Sequence, residues 1–463
     1  MTAAGGWLTT TRGAAGIMLL AGVVYANCLG GGFLLDDEEI YLNDPAMRAQ
    51  TVRSAFSRTA PAFLPHHKGF YYYRPVTILA HSWLLRAFGA KPFALHLVSV
   101  ALHAAAGIVV FLLLAEMAGL RVAWLAAALF VVHPLHVEAV AWMAALPELL
   151  AGVLILLSLY ALVCSRRQVT GDRWQVAGDR HPLREACHLQ PATCNLLRSG
   201  WLALACLAAA LAMLTKETAV IQPLLAAILV GWAAWPCFLT AGGILLLRYF
   251  VLGSATAYLP PRPFWSQVYL MASALVHYAR KTAWPWPLAS EYNLRQPLAV
   301  WVISAVAFAL LLWLARRGPP VRLGMLLFLV PLAPAIAASL ILPGMRQAQD
   351  RYAYLAVLGF VFLIALLARG RAATGAVLGI LILWSALSIC ATGYWRDPEA
   401  LWSQTLRVTP LSRNAVLGLG EWYYSTRRFA DAERVYRQGL AYRPNDPDIR
   451  ASHQTVLKAL RRD

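Results

Sequence analysis

The sequence predicts an all-α, polytopic membrane protein of about eleven transmembrane helices with a short helical repeat domain at its C-terminal end. Composition is the first reason: of 463 residues, 60% are hydrophobic and 13% charged, with a mean hydropathy of +0.58, far above a soluble globular domain. The second is that apolar runs recur as far as about Thr392, each near the roughly 20 residues that cross a hydrocarbon core of about 30 Å. The third is an abrupt change to polar, helix-patterned sequence beyond that point, which divides a membrane domain at 1–392 from a tail at 393–463.

Spans are expected near residues 13–30, 93–117, 121–135, 147–164, 200–214, 217–232, 237–252, 298–315, 322–341, 352–368 and 372–392. The first follows Arg12 as a signal peptide would, yet no clear small-x-small site precedes the acidic stretch, so an uncleaved span is expected. Basic segments at Arg121, Arg166-Arg167 with the polar loop to Arg198, Arg316-Arg317, and Arg369 with Arg371 mark the cytoplasmic side, and alternation puts all of them there together. The amino terminus is then inside and the carboxyl tail outside. Trp265 to Trp286 is apolar but interrupted by His277, Arg280, Lys281 and Pro285, the pattern of a re-entrant or interfacial segment.

The loop at about 31–92, the His133–Leu146 turn, the Thr215-Lys216-Glu217 corner and Leu342–Arg351 then face the non-cytoplasmic side. The first of these holds Pro45, Pro61, Pro65 and Pro75 and a Tyr71-Tyr72-Tyr73 run, as helices lying at headgroup level would. A net charge of +18 could suit nucleic acid, but the Lys and Arg are scattered between apolar spans and line no soluble face, so nucleic acid is excluded as a partner. Topology signals and contacts to lipid phosphate account for them. Seven Cys, mostly within or beside apolar runs and with no Cys-x-x-Cys spacing, carry no metal or disulfide signature.

In the tail, Trp402 and Tyr436, Leu406 and Leu440, and Pro410 and Pro444 are each 34 residues apart, the tetratricopeptide period. One full repeat from Asn414 to Pro447 between two half-repeats is too few to stand alone, so the tail is expected to dock on the membrane domain or on a partner.

The chemistry-bearing residues concentrate on the outer side. Asp36-Asp37-Glu38-Glu39 directly follow the first span, where a carboxylate could take a proton from an acceptor hydroxyl beside an arriving lipid headgroup. A solvated loop start or a helix cap would show the same residues. His133, His136 and Glu138 interrupt apolar sequence at membrane depth. They are candidate ligands for a divalent metal but lack a fourth, and no other cofactor is indicated. Glu138 reads better as a second carboxylate, and Glu148 must face the protein interior. Arg74, Lys216, Arg346 and Arg351, with Glu217 beside Lys216, supply cations that could neutralise a departing lipid phosphate, although interfacial snorkelling would also explain each one singly.

Taken in order, Phe33-Leu34-Leu35-Asp36-Asp37 with Ile40 and Asn43, Tyr73-Arg74-Pro75-Val76, His133-Pro134-Leu135-His136-Val137-Glu138, Lys216-Glu217, and Asp350-Arg351-Tyr352-Ala353-Tyr354-Leu355, followed by the repeats, resemble the transmembrane and tetratricopeptide repeat-containing proteins of the C-type glycosyltransferase superfamily. The resemblance implies an inverting membrane transferase that uses a polyprenyl-phosphate-linked sugar, commonly mannose, and a protein or glycan acceptor. It matches Asp36 and Asp37 to the acidic pair of the first outer loop and Glu138 to the acid of the second. Arg74, His133, Lys216, Glu217, Arg351 and Tyr354 become candidates for binding substrate. The chain departs from the pattern at Ala145-Leu146-Pro147, before Glu148, where relatives tend to carry a basic residue. The short repeat array points to a bacterial inner membrane with a periplasmic C terminus; in a eukaryote the outer side would be the endoplasmic reticulum lumen. A non-catalytic scaffold recruiting a partner through its repeats, or a lipid-linked-glycan transporter, are the competing classes.

Overall fold

The computed structural model describes residues 3–57, 60–61, 71–170, 191–253, 263–294, 297–316, 318–341 and 348–461. Pro65, Cys187, Arg317 and Arg346, singled out in the sequence, lie outside them. The described chain is helical apart from a two-residue antiparallel pairing of Ala60–Pro61 with Tyr71–Tyr72. In lipid a backbone must satisfy its own hydrogen bonds, which leaves the helix as the one structure open to single apolar runs.

Among the described residues, seven helices are long and apolar enough to cross a membrane. An eighth is gained if Leu120–Val132 and Pro134–Ala141, bent by 52° at His133, form one broken span. Three of the eleven expected spans are not counted separately among the described residues, one of them the 18-residue helix Leu298–Ala315. The runs at 217–232 and 237–252 join in one 36-residue stretch, Glu217–Leu252, and the run at 352–368 contains a helix of only 11 residues, Val357–Leu367. Phe264–Ala283 is a helix, but it is not among the membrane-crossing ones.

The Pro92–Ala118 and Leu120–Val132 helices fold back on each other through a single residue, Gly119, whose φ of +85° would strain any side chain. Together with the helices Ala3–Tyr25, Leu146–Thr170 and Val357–Leu367 they enclose the main core. Backbones approach closely where a side chain is absent: a Cβ on Gly359 would run into the backbone of Gly324 and Phe328, the small-residue packing of membrane helices.

The first outer loop is built of short helices, Asp36–Glu38, Pro45–Arg48 and Val52–Ser57, leading into Pro75–Phe88, and it has its own apolar cluster around Ile40, Met47, Ile78 and Leu85. The tail forms four helices, Pro398–Val408, Arg413–Ser425, Phe429–Tyr442 and Pro447–Leu460. Three of their starts are capped, by Asp397, Ser412 and Asp446. Trp402 and Tyr436, the aromatic pair at the 34-residue spacing, each cover a glycine of the second helix, Gly418 and Gly420.

The tail docks on the membrane domain through a polar seam. Glu291 accepts hydrogen bonds from Ser412 Oγ (2.7 Å) and Asn414 Nδ2 (2.5 Å), and its carbonyl accepts from Thr409 Oγ1 (3.0 Å). Gln404 Nε2 donates to the Leu288 carbonyl at 3.1 Å. Gly32 N–H donates to the Arg396 carbonyl at 3.1 Å, so the acidic loop start and the tail root share one end of the helix bundle.

Candidate active site

The acidic pair separates into two different environments. Asp37 is buried, and both its oxygens are taken by backbone amides: Oδ2 by Leu34 N–H at 3.0 Å and Oδ1 by Ala144 N–H at 2.6 Å. It pins the start of the outer loop to the turn that precedes the Leu146–Thr170 helix. Burial pushes its carboxyl up to about 8 against the pull of those two donors. Asp36 is half-buried, and its negative field helps hold Arg351 charged.

Four cations and three carboxylates surround the same end. Arg74 pairs with Glu217, its Nε 3.0 Å and Nη2 2.6 Å from the carboxylate, and Arg248 stands 3.6 Å away on the other oxygen. Lys216 is buried and ion-paired with Glu148. Arg351 pairs with the buried Glu138 and also receives Glu148 at 3.9 Å from its Nε. The Arg351 backbone N–H donates to the second Glu138 oxygen at 3.1 Å, which fixes the carboxylate from both sides. Aromatic faces complete the cage: the Arg351 guanidinium lies 4.7 Å over Trp142 and 5.0 Å over Tyr352, whose ring also receives Lys216 at 5.2 Å. The absence of a basic residue in 145–147 is made good in space, since Lys216 and Arg351 both reach Glu148.

His133 and His136 serve the frame. His133 Nε2 meets the Thr282 carbonyl at 3.0 Å and its Nδ1 accepts from Leu135 N–H at 3.2 Å, while His136 Nε2 meets the Tyr354 carbonyl at 3.1 Å. With Glu138 committed to Arg351, the three do not converge as metal ligands, and no group of three or more His, Cys, Asp or Glu suited to a metal occurs among the described residues. Tyr354 is buried with its hydroxyl 2.9 Å from His103 Nδ1, its ring edge filling the space above Gly152.

A small groove of about 30 Å³ lies beside the cluster, walled by apolar residues such as Ile155, Ile221, Pro331 and Ala335 and ending at Glu148, Arg351 and Tyr352. It joins an apolar wall to a charged end. The structure thus brings Asp36, Glu138, Arg351, Lys216, Glu217 and Arg74 to one end. Arg248, unannounced by sequence reasoning, joins them, as does Tyr352, which was quoted in a motif but given no role. An arginine inside an apolar run was the available signal for the former; Tyr352 had none beyond its place after Arg351.

No protein-family model matches the chain. Among curated proteins it is 34% identical over 168 residues to Protein O-mannosyl-transferase Tmtc1 of Drosophila melanogaster, covering 35% of this chain and 19% of that one. Over 489 residues it is 23% identical to Protein O-mannosyl-transferase TMTC4 of Homo sapiens, covering 86% of this chain and 62% of that one. It therefore spans less than two thirds of the length of either relative. Among solved structures, ArnT from Cupriavidus metallidurans bound to undecaprenyl phosphate superposes with a TM-score of 0.41 at 16% identity, over 98% of this chain and 76% of that one. The curated matches carry the same family name as the motif resemblance, and the chain is related in sequence to the transmembrane and tetratricopeptide repeat-containing O-mannosyl-transferases.

Proposed function

We propose that the chain is a membrane glycosyltransferase that moves a monosaccharide, with inversion, from a polyprenyl-phosphate donor to an acceptor hydroxyl on the non-cytoplasmic face. The observation that carries this reading is the half-buried Asp36 set beside a caged cation cluster at the charged end of an apolar groove. In the reaction, the acceptor oxygen gives its proton to Asp36 and forms a bond to the anomeric carbon from the face opposite the phosphate. The bond from that carbon to the phosphate oxygen breaks, and its electron pair leaves with the lipid phosphate. Arg351, Lys216 and Arg74 neutralise the departing charge, held in place beforehand by Glu138, Glu148 and Glu217. Asp36 is favoured over Asp37 as base because both oxygens of Asp37 are engaged by amides. His133 and Tyr354 position the turns that bear Glu138 and Arg351.

The tail reads as a short tetratricopeptide unit fixed at the outer end, where it can present a protein or glycan acceptor. A bacterial inner membrane with a periplasmic C terminus fits this arrangement, and the junction of Gly32 with Arg396 supports placing site and tail on the same side. The test is donor consumption by the purified full chain in lipid, offered a panel of radiolabelled polyprenyl-phosphate monosaccharides with cell extract as the source of acceptors. Turnover of at least one donor is expected. A folded protein that consumes none of them would leave the scaffold in its place.

A further inference from the structure

A second cleft, of about 350 Å³, lies where the C-terminal end of the Phe264–Ala283 helix faces the tail. His277, Arg280, Lys281 and Tyr292 line it from the membrane domain, and Thr409 and Leu411 from the tail. His277 is 1% exposed, and neither of its ring nitrogens hydrogen-bonds to a described residue. Arg280 likewise has a buried Nε without an acceptor. Lys281 is as buried as His277; its ammonium meets the Pro287 carbonyl and lies 4.4 Å over the Tyr292 ring.

Neither Arg280 nor Lys281 has a carboxylate at ion-pair distance among the described residues, whereas Arg74, Lys216 and Arg351 each have one. Asp350 acts on Lys281 through its charge, and its Oδ2 accepts from Tyr292 Oη at 2.6 Å. Buried cations and buried imidazoles without acceptors are costly, and proteins ordinarily satisfy them. Here both nitrogens of the buried His277 and the Nε of the half-exposed Arg280 have no hydrogen-bond partner among the described residues, and both side chains line one open space. An anion entering it would meet two cations and an imidazole that can donate or accept.

We propose that this cleft binds an acidic segment of a protein acceptor, through its carboxylate or phosphate groups, and so holds the acceptor beside the site; the acceptor role rests on the transferase reading given above. Two observations favour a peptide. The tail's loop forms one wall, secured by the Thr409 bond to the Glu291 carbonyl. The Tyr292–Asp350 bond ties the cleft to the residue before Arg351, so an anchored segment would lie next to the cation cluster.

The test measures binding of fluorescent serine-containing peptides to the full chain in lipid nanodiscs, with no donor present, so that failure of the transferase reading leaves the result interpretable. Three peptides are compared, with the serine flanked by aspartate, by phosphoserine, or by asparagine. One or both acidic peptides should bind about tenfold tighter than the asparagine peptide or more, as a charge-assisted contact allows, and the pair identifies whether carboxylate or phosphate is read. Arg280→Gln, at a half-exposed position where the fold tolerates change, should erase most of that preference; Lys281→Met combined with it should erase the rest. Equal binding of all three peptides, an acidic preference untouched by Arg280→Gln, or capture of inorganic phosphate in preference to every peptide would overturn the proposal.

Discussion

The two cation clusters differ in how their charge is met. In the cluster beside the groove, Arg74, Lys216 and Arg351 are each matched to a carboxylate and each lies over an aromatic ring. In the cleft against the tail, Arg280 has no carboxylate at ion-pair distance among the described residues, and Lys281 has the charge of Asp350 only at longer range. Matched cations have a fixed geometry and need no rearrangement when negative charge develops. Unmatched ones keep the cost of burial until an anion arrives, which suits them to reversible binding. On the readings proposed above, one cluster would stabilise a reaction and the other would hold a ligand.

The comparison breaks most visibly at Arg351. Arg351→Gln leaves Glu138, 3% exposed, without its counter-ion, and should cost about 3–5 kcal/mol of stability together with donor turnover. Adding Glu138→Gln should recover much of the thermal stability and none of the turnover. A double variant as unstable as the single one would mean that the pair is not what holds this end together.

A pH series sharpens the contrast from the side of the loop. Asp37 is raised in the folded chain from 3.8 to about 8, so the folded state favours its protonated form. Its contribution to stability is full below the unfolded value and is lost as pH rises through the folded one. Between pH 5 and pH 9 the melting temperature of the wild type should therefore fall relative to that of Asp37→Asn. Parallel curves would remove Asp37 as the titrating group.

The tail seam should yield more gently. Glu291→Gln replaces charge-assisted bonds from Ser412 and Asn414 with neutral ones, a loss of about 1 kcal/mol. The tail should become cleavable at lower protease concentration while the membrane domain melts unchanged. Arg280→Gln is expected to have the smallest effect on stability, within about 0.5 kcal/mol, because no described carboxylate depends on it. A large loss there would place Arg280 in a paired network like that of the groove.

Most of the site's membership was legible in the sequence, because ionisable residues at membrane depth are conspicuous against apolar runs. Its pairing was not. Glu138 meets Arg351 across 213 residues and Arg74 meets Glu217 across 143, separations that only the packing of helices can close. The division of labour between Asp36 and Asp37 was equally hidden, since it depends on amides of Leu34 and Ala144. The repeat spacing in the tail was readable as a period, yet the seam that docks it runs through Ser290, Glu291 and Thr405, polar residues with nothing local to mark them. The division into spans was least legible where an apolar run breaks without turning back, as between 217 and 252.

The most direct measurement compares Asp36→Asn and Asp37→Asn for donor turnover in the same lipid preparation, with melting temperatures recorded alongside. Asp36→Asn should keep the wild-type melting temperature at neutral pH and lose about 10²-fold to 10⁴-fold in turnover, the range for removing a positioned base. Asp37→Asn should keep measurable turnover. If instead Asp36→Asn turns over donor at the wild-type rate, or Asp37→Asn alone abolishes turnover while remaining folded, the assignment of the base to Asp36 is contradicted.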